Sequence, residues 1–115
     1  MKRKARVDLS GYKGMWLFAM FDLPVKTKKD RRLYTRFRNR LIAEGFSRLQ
    51  FSVYARYFGS EESSQSCRRL IRDEIPPNGH VRLLMVTDKQ FGKMENYDGK
   101  KPAKIEEQPE QLTLL

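Results

Sequence analysis

Apolar and polar residues follow one another along this chain in short blocks that predict alternating strands and helices. Residues 15–21 are continuously apolar and rich in aromatic side chains, and the run ends at Asp22 before Leu23 and Pro24. A short apolar run that stops at a proline turn is typical of a strand buried on both faces of a sheet. The pattern therefore predicts a central strand with Asp22 at its carboxyl end.

The segment that follows the turn has the periodicity of a helix. Thr27 can cap its amino-terminal end, Asp30 lies in its first turn, and Gly45 favours its termination. At about 100° per residue, four apolar side chains share an arc that is wide enough to pack on a sheet. These residues are Leu33, Tyr34, Phe37 and Leu41. Basic side chains occupy the opposite side of the helix.

Aromatic residues that partly alternate with polar ones continue beyond Gly45. Residues 46–58 predict a strand that is continuous or consists of two pieces with a kink or bulge near Gln50. Ser60 is suited to open a second helix, which the Pro-Pro-Asn-Gly turn at residues 76–79 ends. The apolar stripe of this helix is Cys67, Leu70, Ile71 and Ile75.

Residues 80–87 predict a further buried strand, and residues 91–97 predict a short edge strand. The resulting order of elements is the split βαβ, or ferredoxin-like, pattern of the α+β class, with an antiparallel sheet. Two helices would cover one face of that sheet, and no helix is left to cover the apolar side chains of the other face. We therefore expect a homodimer that packs sheet against sheet.

The length of 115 residues fits one domain, because two cores would each be too small to bury enough apolar surface. We place the domain at residues 15–97, between a basic extension at residues 1–14 and a polar, flexible tail at residues 98–115. Hydrophobic residues make up 39% of the chain, which excludes a disordered protein, and no apolar run approaches the roughly 18 residues of a membrane span. The basic amino terminus carries no signal-peptide cleavage site, so we expect a cytoplasmic protein without a membrane partner.

The single cysteine and the single histidine argue against several kinds of site. Cys67 has no partner for an internal disulfide, and His80 supplies neither a histidine pair for zinc nor a relay for Ser-His-Asp chemistry. We expect Cys67 to be a buried structural thiol. His80 is expected on the surface, where a strand begins.

The net charge of +10 points to a polyanionic partner, most commonly nucleic acid. The excess is concentrated at residues 1–14 and at residues 26–48, where nine basic residues accompany only two acidic ones, Asp30 and Glu44. The basic row of the first helix can follow phosphates without reading bases. A solvated helix face is the alternative, but the scarcity of acidic partners favours phosphate binding. The residues are Lys28, Lys29, Arg31, Arg32, Arg36, Arg38 and Arg40.

Asp22 is the candidate metal ligand, because a side chain at the end of a buried strand can enter a site while its backbone is fixed. Mg²⁺ prefers carboxylates, waters and phosphate oxygens, and it often needs only one or two protein carboxylates. One aspartate per protomer would suffice if a twofold axis brings two together. The alternative is that Asp22 ends the strand and only forms hydrogen bonds in the turn.

Two further features admit either a structural or a binding role. Four aromatic residues can stack on unpaired bases. Their spacing fits the core and a dimer interface equally well, and we favour this structural interpretation over base stacking. The four residues are Phe51, Tyr54, Tyr57 and Phe58. The apolar end at residues 112–115 can add to the sheet edge of a partner, or it can be disordered.

Three segments, in this order and spacing, carry a resemblance to a known family. They are FAMFDLP at residues 18–24 with the Arg-rich helix that follows, GF and LQFSVY within residues 45–54, and VRLLMVTDKQF at residues 81–91. Together they resemble the CRISPR-associated protein two family, the small ferredoxin-like subunit of the spacer-acquisition complex. The resemblance covers about residues 15–97, and the TDKQ motif is most similar to members that accompany single-effector, type II systems.

The resemblance implies a homodimer that acts as a metal-dependent endonuclease, with Mg²⁺ or Mn²⁺, on single-stranded RNA or on duplex DNA. It also implies a scaffold, because the family dimer bridges the CRISPR integrase and holds the duplex DNA that becomes a new spacer. Asp22 matches the metal-site aspartate of the family, whereas Phe21 stands where many nuclease-competent members carry tyrosine. The carboxyl-terminal tail is expected to contact the integrase, as in some relatives.

Two other functions compete with that of a spacer-acquisition subunit. A stand-alone ribonuclease of the related ferredoxin-like toxin family predicts growth arrest that depends on Asp22. An RNA-binding module with aromatic residues on an open sheet face requires a monomer, which sedimentation distinguishes from a dimer.

Overall fold

Three helices and six strands follow one another along residues 14–109, the part of the chain that the structure, a computed structural model, describes. A 3₁₀ turn at Glu62–Ser64 leads into the second helix. The elements are β1 (Met15–Asp22), α1 (Lys28–Ala43), β2 (Ser47–Gln50), β3 (Val53–Phe58), α2 (Gln65–Asp73), β4 (His80–Thr87), α3 (Asp88–Gly92), β5 (Asn96–Asp98) and β6 (Lys101–Ala103).

The first four strands form one antiparallel sheet in the order β2-β3-β1-β4, so β1 is central and β4 is an edge strand. Helix α1 connects β1 to β2, and α2 connects β3 to β4. This order and connectivity confirm the predicted ferredoxin-like α+β fold. Strands β5 and β6 form a separate two-stranded hairpin.

Local capping explains the bounds of α1. The Thr27 hydroxyl accepts a hydrogen bond from the Asp30 amide at 2.9 Å, and the Asp30 carboxylate accepts one from the Thr27 amide at 3.2 Å. This reciprocal pair satisfies two amides that a helix start leaves unpaired. At the other end Gly45 has a φ of 90°, a conformation that favours glycine. Both predicted ends of the helix are therefore confirmed.

The main core lies between the sheet and the two longer helices. Strand β1 contributes Leu17, Ala19 and Phe21 on alternate positions, as a strand with one face toward the helices requires. They pack with Phe37 of α1 and Ile71 of α2, both almost fully buried. We call this side of the sheet the helix face and the opposite side the second face.

The predicted break near Gln50 is confirmed and takes the form of a hairpin. Strands β2 and β3 pair antiparallel, with a register shift between Arg48 and Gln50. The turn between them places Ser52 at a φ of 62°, and the Ser52 carbonyl accepts a hydrogen bond from the Phe21 amide at 3.1 Å. The hairpin turn therefore lies beside the end of β1.

The prediction of an edge strand at residues 91–97 is wrong over its first half, because Phe91 lies in helix α3. The Thr87 hydroxyl accepts from the Gln90 amide at 3.0 Å, and the Gln90 side chain accepts from the Thr87 amide at 2.9 Å. This capping box starts a helix where the apolar composition favours a strand. Only residues 96–98 of the expected segment are extended, as β5.

The expectation that no segment of the chain covers the second face needs a similar correction. Phe91 and Ile105 pack there on Trp16 and Ala55 in a second core. The Trp16 ring stacks on Phe91 with centroids 4.0 Å apart, and its Nε1 donates to the Asp88 carboxylate at 2.8 Å. The chain itself therefore covers the amino-terminal end of β1 on the second face.

The division into a domain at residues 15–97 and two flanking segments stays a prediction. Beyond residue 97 the structure has strand β6 and the buried Ile105. Residues 1–13 of the predicted basic extension and the apolar end at residues 112–115 lie outside the described residues. No helix among the described residues is long and apolar enough to cross a membrane.

Candidate carboxylate site and nucleic-acid interface

Asp22 is exposed at the last position of β1. Since its neighbour Phe21 points into the main core, the alternation of a strand places the Asp22 side chain on the second face. The register of β1 with β4 sets His80 directly opposite Asp22, and Arg82 opposite Met20. The exposed His80 begins β4, as predicted. The carboxylate thus lies at the end of the second face that α3 and Ile105 do not cover.

The residues around Asp22 do not complete a metal centre within one protomer. Across residues 14–109 no group of three or more histidine, cysteine, aspartate or glutamate side chains is close enough to hold a metal ion. One exposed carboxylate fits Mg²⁺ or Mn²⁺ only as a partial ligand set. The remaining ligands would have to be waters, phosphate oxygens of a substrate or a second Asp22.

Phe21 occupies a different environment from that of Asp22. Its ring is buried and contacts Phe37 at 5.2 Å, Tyr54 at 5.7 Å and Tyr34 at 5.9 Å between centroids. A tyrosine at this position would carry its hydroxyl on the helix face, within an aromatic cluster. The absence of that hydroxyl therefore leaves the surroundings of Asp22 on the second face unchanged.

The basic row predicted for α1 is largely a solvent-exposed face. Arg31 also fixes the turn before the helix, because its Nη1 donates to the carbonyls of Val25 at 3.1 Å and Lys26 at 3.0 Å. Arg38 and Arg40 are partly buried at the edge of the row. The exposed members are Lys28, Lys29, Arg31, Arg32 and Arg36.

The acidic residues near this row do little to neutralise it. Asp30 is engaged by the Thr27 cap. The Arg40 Nε lies 3.9 Å from the Oε1 of Glu74, the residue that follows α2, and so long a contact between partly exposed groups contributes little. Within the described chain, Lys28, Lys29, Arg32 and Arg36 form no ion pair, so their charge remains available to an anion.

The four aromatic candidates divide between the interior and the surface. Tyr54 and Phe58 belong to the main core, and Tyr57 packs edge-on against Trp16 with centroids 5.5 Å apart. Phe51, in the hairpin turn, is 73% exposed and lies 6.4 Å from the Tyr34 ring. The structural interpretation is thus confirmed for three of the four. These four residues do not form the exposed aromatic sheet surface that the alternative RNA-binding module requires.

Cys67 is a buried free thiol in the main core, as predicted. Burial raises the pKa of the Cys67 thiol above its ordinary value, and the nearby Arg56 guanidinium opposes that shift. A neutral buried thiol is a poor nucleophile. The residue therefore contributes packing.

A second group of basic residues lies on α2 and was not among the predicted site residues. Arg68, Arg69 and Arg72 line a groove between this helix and β4. The three arginines lie three, four and seven residues after Gln65, so they share one side of the helix with it. That spacing is present in the sequence, but only the apolar residues of the same helix, Cys67, Leu70 and Ile71, were used to define its faces.

The uncovered part of the second face combines apolar and charged side chains. Leu84 of β4 is 48% exposed, Met20 of β1 is partly exposed, and Arg82 and Asp22 are exposed beside them. An exposed apolar side chain in the middle of a sheet face is typical of a surface that another molecule covers.

The amino-acid sequence is similar to those of a well-defined family. Residues 15–94 match the family model described as "CRISPR associated protein Cas2". A protein of Flavobacterium psychrophilum named "CRISPR-associated endoribonuclease Cas2" is 40% identical over 107 residues, which are 93% of this chain and 93% of the relative. Proteins with the same name from Parvibaculum lavamentivorans and Lacticaseibacillus rhamnosus are 43% identical over 101 residues (88% of this chain, 100% of the relative) and 49% identical over 80 residues (70% and 79%).

Proposed function

The chain belongs to the CRISPR associated protein Cas2 family, and on that premise we propose that it is a cytoplasmic spacer-acquisition subunit. In this role a homodimer binds duplex DNA along α1 and bridges the CRISPR integrase. The same dimer hydrolyses phosphodiester bonds at Asp22, with RNA as the first substrate to test because the relatives are named endoribonucleases. The type II assignment stays a prediction.

The observation that carries the DNA-binding role is the exposed basic face of α1. Five of its basic side chains are exposed, and the acidic residue of its first turn, Asp30, is held in a capping box. The basic side chains of such a face repel one another unless a polyanion neutralises their charge. A row along one helix contacts phosphates and not base edges, which suits a protein that must accept many sequences.

A homodimer through the second face would complete the candidate hydrolytic site. Met20 and Leu84 supply the apolar surface that such a contact would bury. Since Asp22 lies on the same uncovered end of that face, a twofold axis through it would bring two carboxylates to one interface. This arrangement supplies the second protein ligand that a single protomer lacks.

Asp22 would act in hydrolysis by holding Mg²⁺ or Mn²⁺ together with phosphate oxygens of the substrate. The bound ion would supply Lewis-acid polarisation of the phosphate and a water of lowered pKa. The fixed end of β1 orients the carboxylate, because the Phe21 amide is tied to the Ser52 carbonyl at 3.1 Å. Arg82 and His80 on the same face add groups that can contact the phosphate.

The central experiment compares Asp22→Asn with Asp98→Asn, which removes one charge from the exposed end of β5. Both proteins and the wild type are incubated with single-stranded RNA and with duplex DNA in Mg²⁺ or Mn²⁺, and their affinity for duplex DNA is measured by fluorescence anisotropy. We expect Asp22→Asn to lose hydrolysis and keep its affinity, and Asp98→Asn to keep both. Equal cleavage by Asp22→Asn and wild type would refute the catalytic role.

Sedimentation of the wild type tests the dimer, whose expected mass is twice 13.7 kDa. A monomer at micromolar concentration would contradict the shared site. Failure of the wild type to bind duplex DNA at low salt would refute the scaffold role, whatever the result for cleavage.

A further inference from the structure

Four polar side chains of α2 project over the edge strand of the sheet. Gln65, Arg68, Arg69 and Arg72 occupy positions i, i+3, i+4 and i+7 and therefore share one side of the helix. They line a groove of about 470 Å³ whose apolar floor comes from the sheet. The floor residues are Leu17, Leu83 and Met85.

The groove is strongly positive. Three arginines and no acidic residue line it. Within residues 14–109 the three guanidinium groups form no ion pair or hydrogen bond, and the Nε of Arg68, like those of Arg38 and Arg40 on α1, is buried without an acceptor. A buried donor that lacks an acceptor is costly, and a charged donor more so than a neutral one.

Covering of the apolar floor explains only part of this arrangement. The alkyl stems of arginine can lie over Leu83 and Met85 while their charged ends reach water. A glutamine stem would cover the floor without placing three like charges within two turns. The presence of three guanidinium groups in one groove, with no acidic residue beside them, is better explained by an anionic ligand.

We propose that this groove is a second nucleic-acid contact, in which Arg68, Arg69 and Arg72 bind the phosphate backbone of one strand. Arg68 and Arg72 are separated by one turn, about 6 Å along the helix axis, so their side chains can contact separate phosphates of one strand. Their planar guanidinium groups favour bidentate contact with phosphate oxygens.

A nucleic acid fits the groove better than an acidic protein segment, because α2 shares its side of the sheet with the basic face of α1. Two basic helices over one sheet face can hold the same polyanion in two places. The inference rests on the proposed binding of duplex DNA, which it extends from one helix to two.

The test measures the dependence of duplex-DNA affinity on salt for the full chain and three double variants. Arg68→Gln with Arg72→Gln removes two charges from the groove, and Arg32→Gln with Arg36→Gln removes two from α1. Lys100→Gln with Lys101→Gln removes two from the exposed β5–β6 hairpin and serves as the matched control. Circular dichroism and the thermal midpoint confirm that each variant is folded.

We expect the slope of log affinity against log salt concentration to decrease by about 1.8 for the groove variant, since each lost phosphate contact removes about 0.9. The α1 variant should show a similar decrease, and the hairpin control should keep the wild-type slope. Replacement of Arg68 and Arg72 by lysine should restore most of the slope, because the charge returns.

Three outcomes separate failure of the inference from failure of the proposed function. If the wild type does not bind duplex DNA, the proposed function and the inference fail together. If the wild type and the α1 variant behave as expected but the groove variant keeps the full slope, only the inference fails. If the groove variant keeps the slope and loses binding to polyglutamate, the groove is a site for an acidic protein segment and the inference is overturned.

Discussion

Replacement of Phe91 by alanine tests whether the short helix α3 is an integral part of the fold. The ring is 1% exposed, stacks on Trp16 with an interplanar angle of 9°, and lies 5.6 Å from the Phe18 ring. Truncation of a buried phenylalanine costs about 3–5 kcal/mol. A total stability of about 5–15 kcal/mol is usual for a domain, so the Phe91→Ala variant should lose a large part of it.

Urea unfolding at a fixed protomer concentration measures this loss. Trp16 is the only tryptophan in the chain and belongs to the second core, so its fluorescence reports directly on the region that is perturbed. Phe51→Ala is the matched control, because its ring is 73% exposed and its removal should change stability by no more than about 0.5 kcal/mol. A loss below about 1 kcal/mol for Phe91→Ala would show that α3 does not pack as described.

Two further predictions concern backbone conformation and the buried thiol. Gly45→Ala should destabilise the protein by about 1–2 kcal/mol, since φ is 90° there, whereas Gly59→Ala, with open space around its Cβ, should be nearly neutral in the same urea titration. Cys67 has a raised pKa in the folded state, so its contribution to stability is fully present below the ordinary thiol pKa of 9.0 and is lost as pH rises through the folded value. Cys67→Ala should abolish that part of the pH dependence of stability. Alkylation of the wild-type thiol at pH 8 should be slow until the protein unfolds. Rapid alkylation of the native protein would contradict the burial of Cys67.

Short-range chemistry explains why much of the fold was predictable. Thr27, Asp30 and Gly45 fix both ends of α1 through contacts within a few residues. Thr87 and Gln90 likewise form a capping box through local contacts. The prediction of a strand around Phe91 followed the apolar residues there and not this capping pair. The position of Ile105 on Trp16 is a contact over almost ninety residues of chain, and no local pattern specifies it.

The candidate sites differ in predictability for a related reason. The basic face of α1 follows from helical periodicity alone, because its charges and apolar residues occupy opposite sides. On α2 the proposed role of Arg68 and Arg72 depends on the groove that the helix forms with β4, which is a tertiary property. The second face shows the same dependence, since its covered and uncovered ends are set by α3.

The two proposed activities, binding of nucleic acid and its hydrolysis, use residues on opposite sides of one sheet. The basic residues of α1 and α2 lie over the helix face, whereas Asp22 lies on the second face, at the end of β1. A duplex bound along the helices cannot at the same time lie across the second face, where a homodimer would bury Met20 and Leu84. Loss of the Asp22 charge should therefore leave duplex binding intact, and loss of the arginine contacts should weaken binding without altering the carboxylate. The proposed binding and the proposed hydrolysis should therefore be separable by substitution.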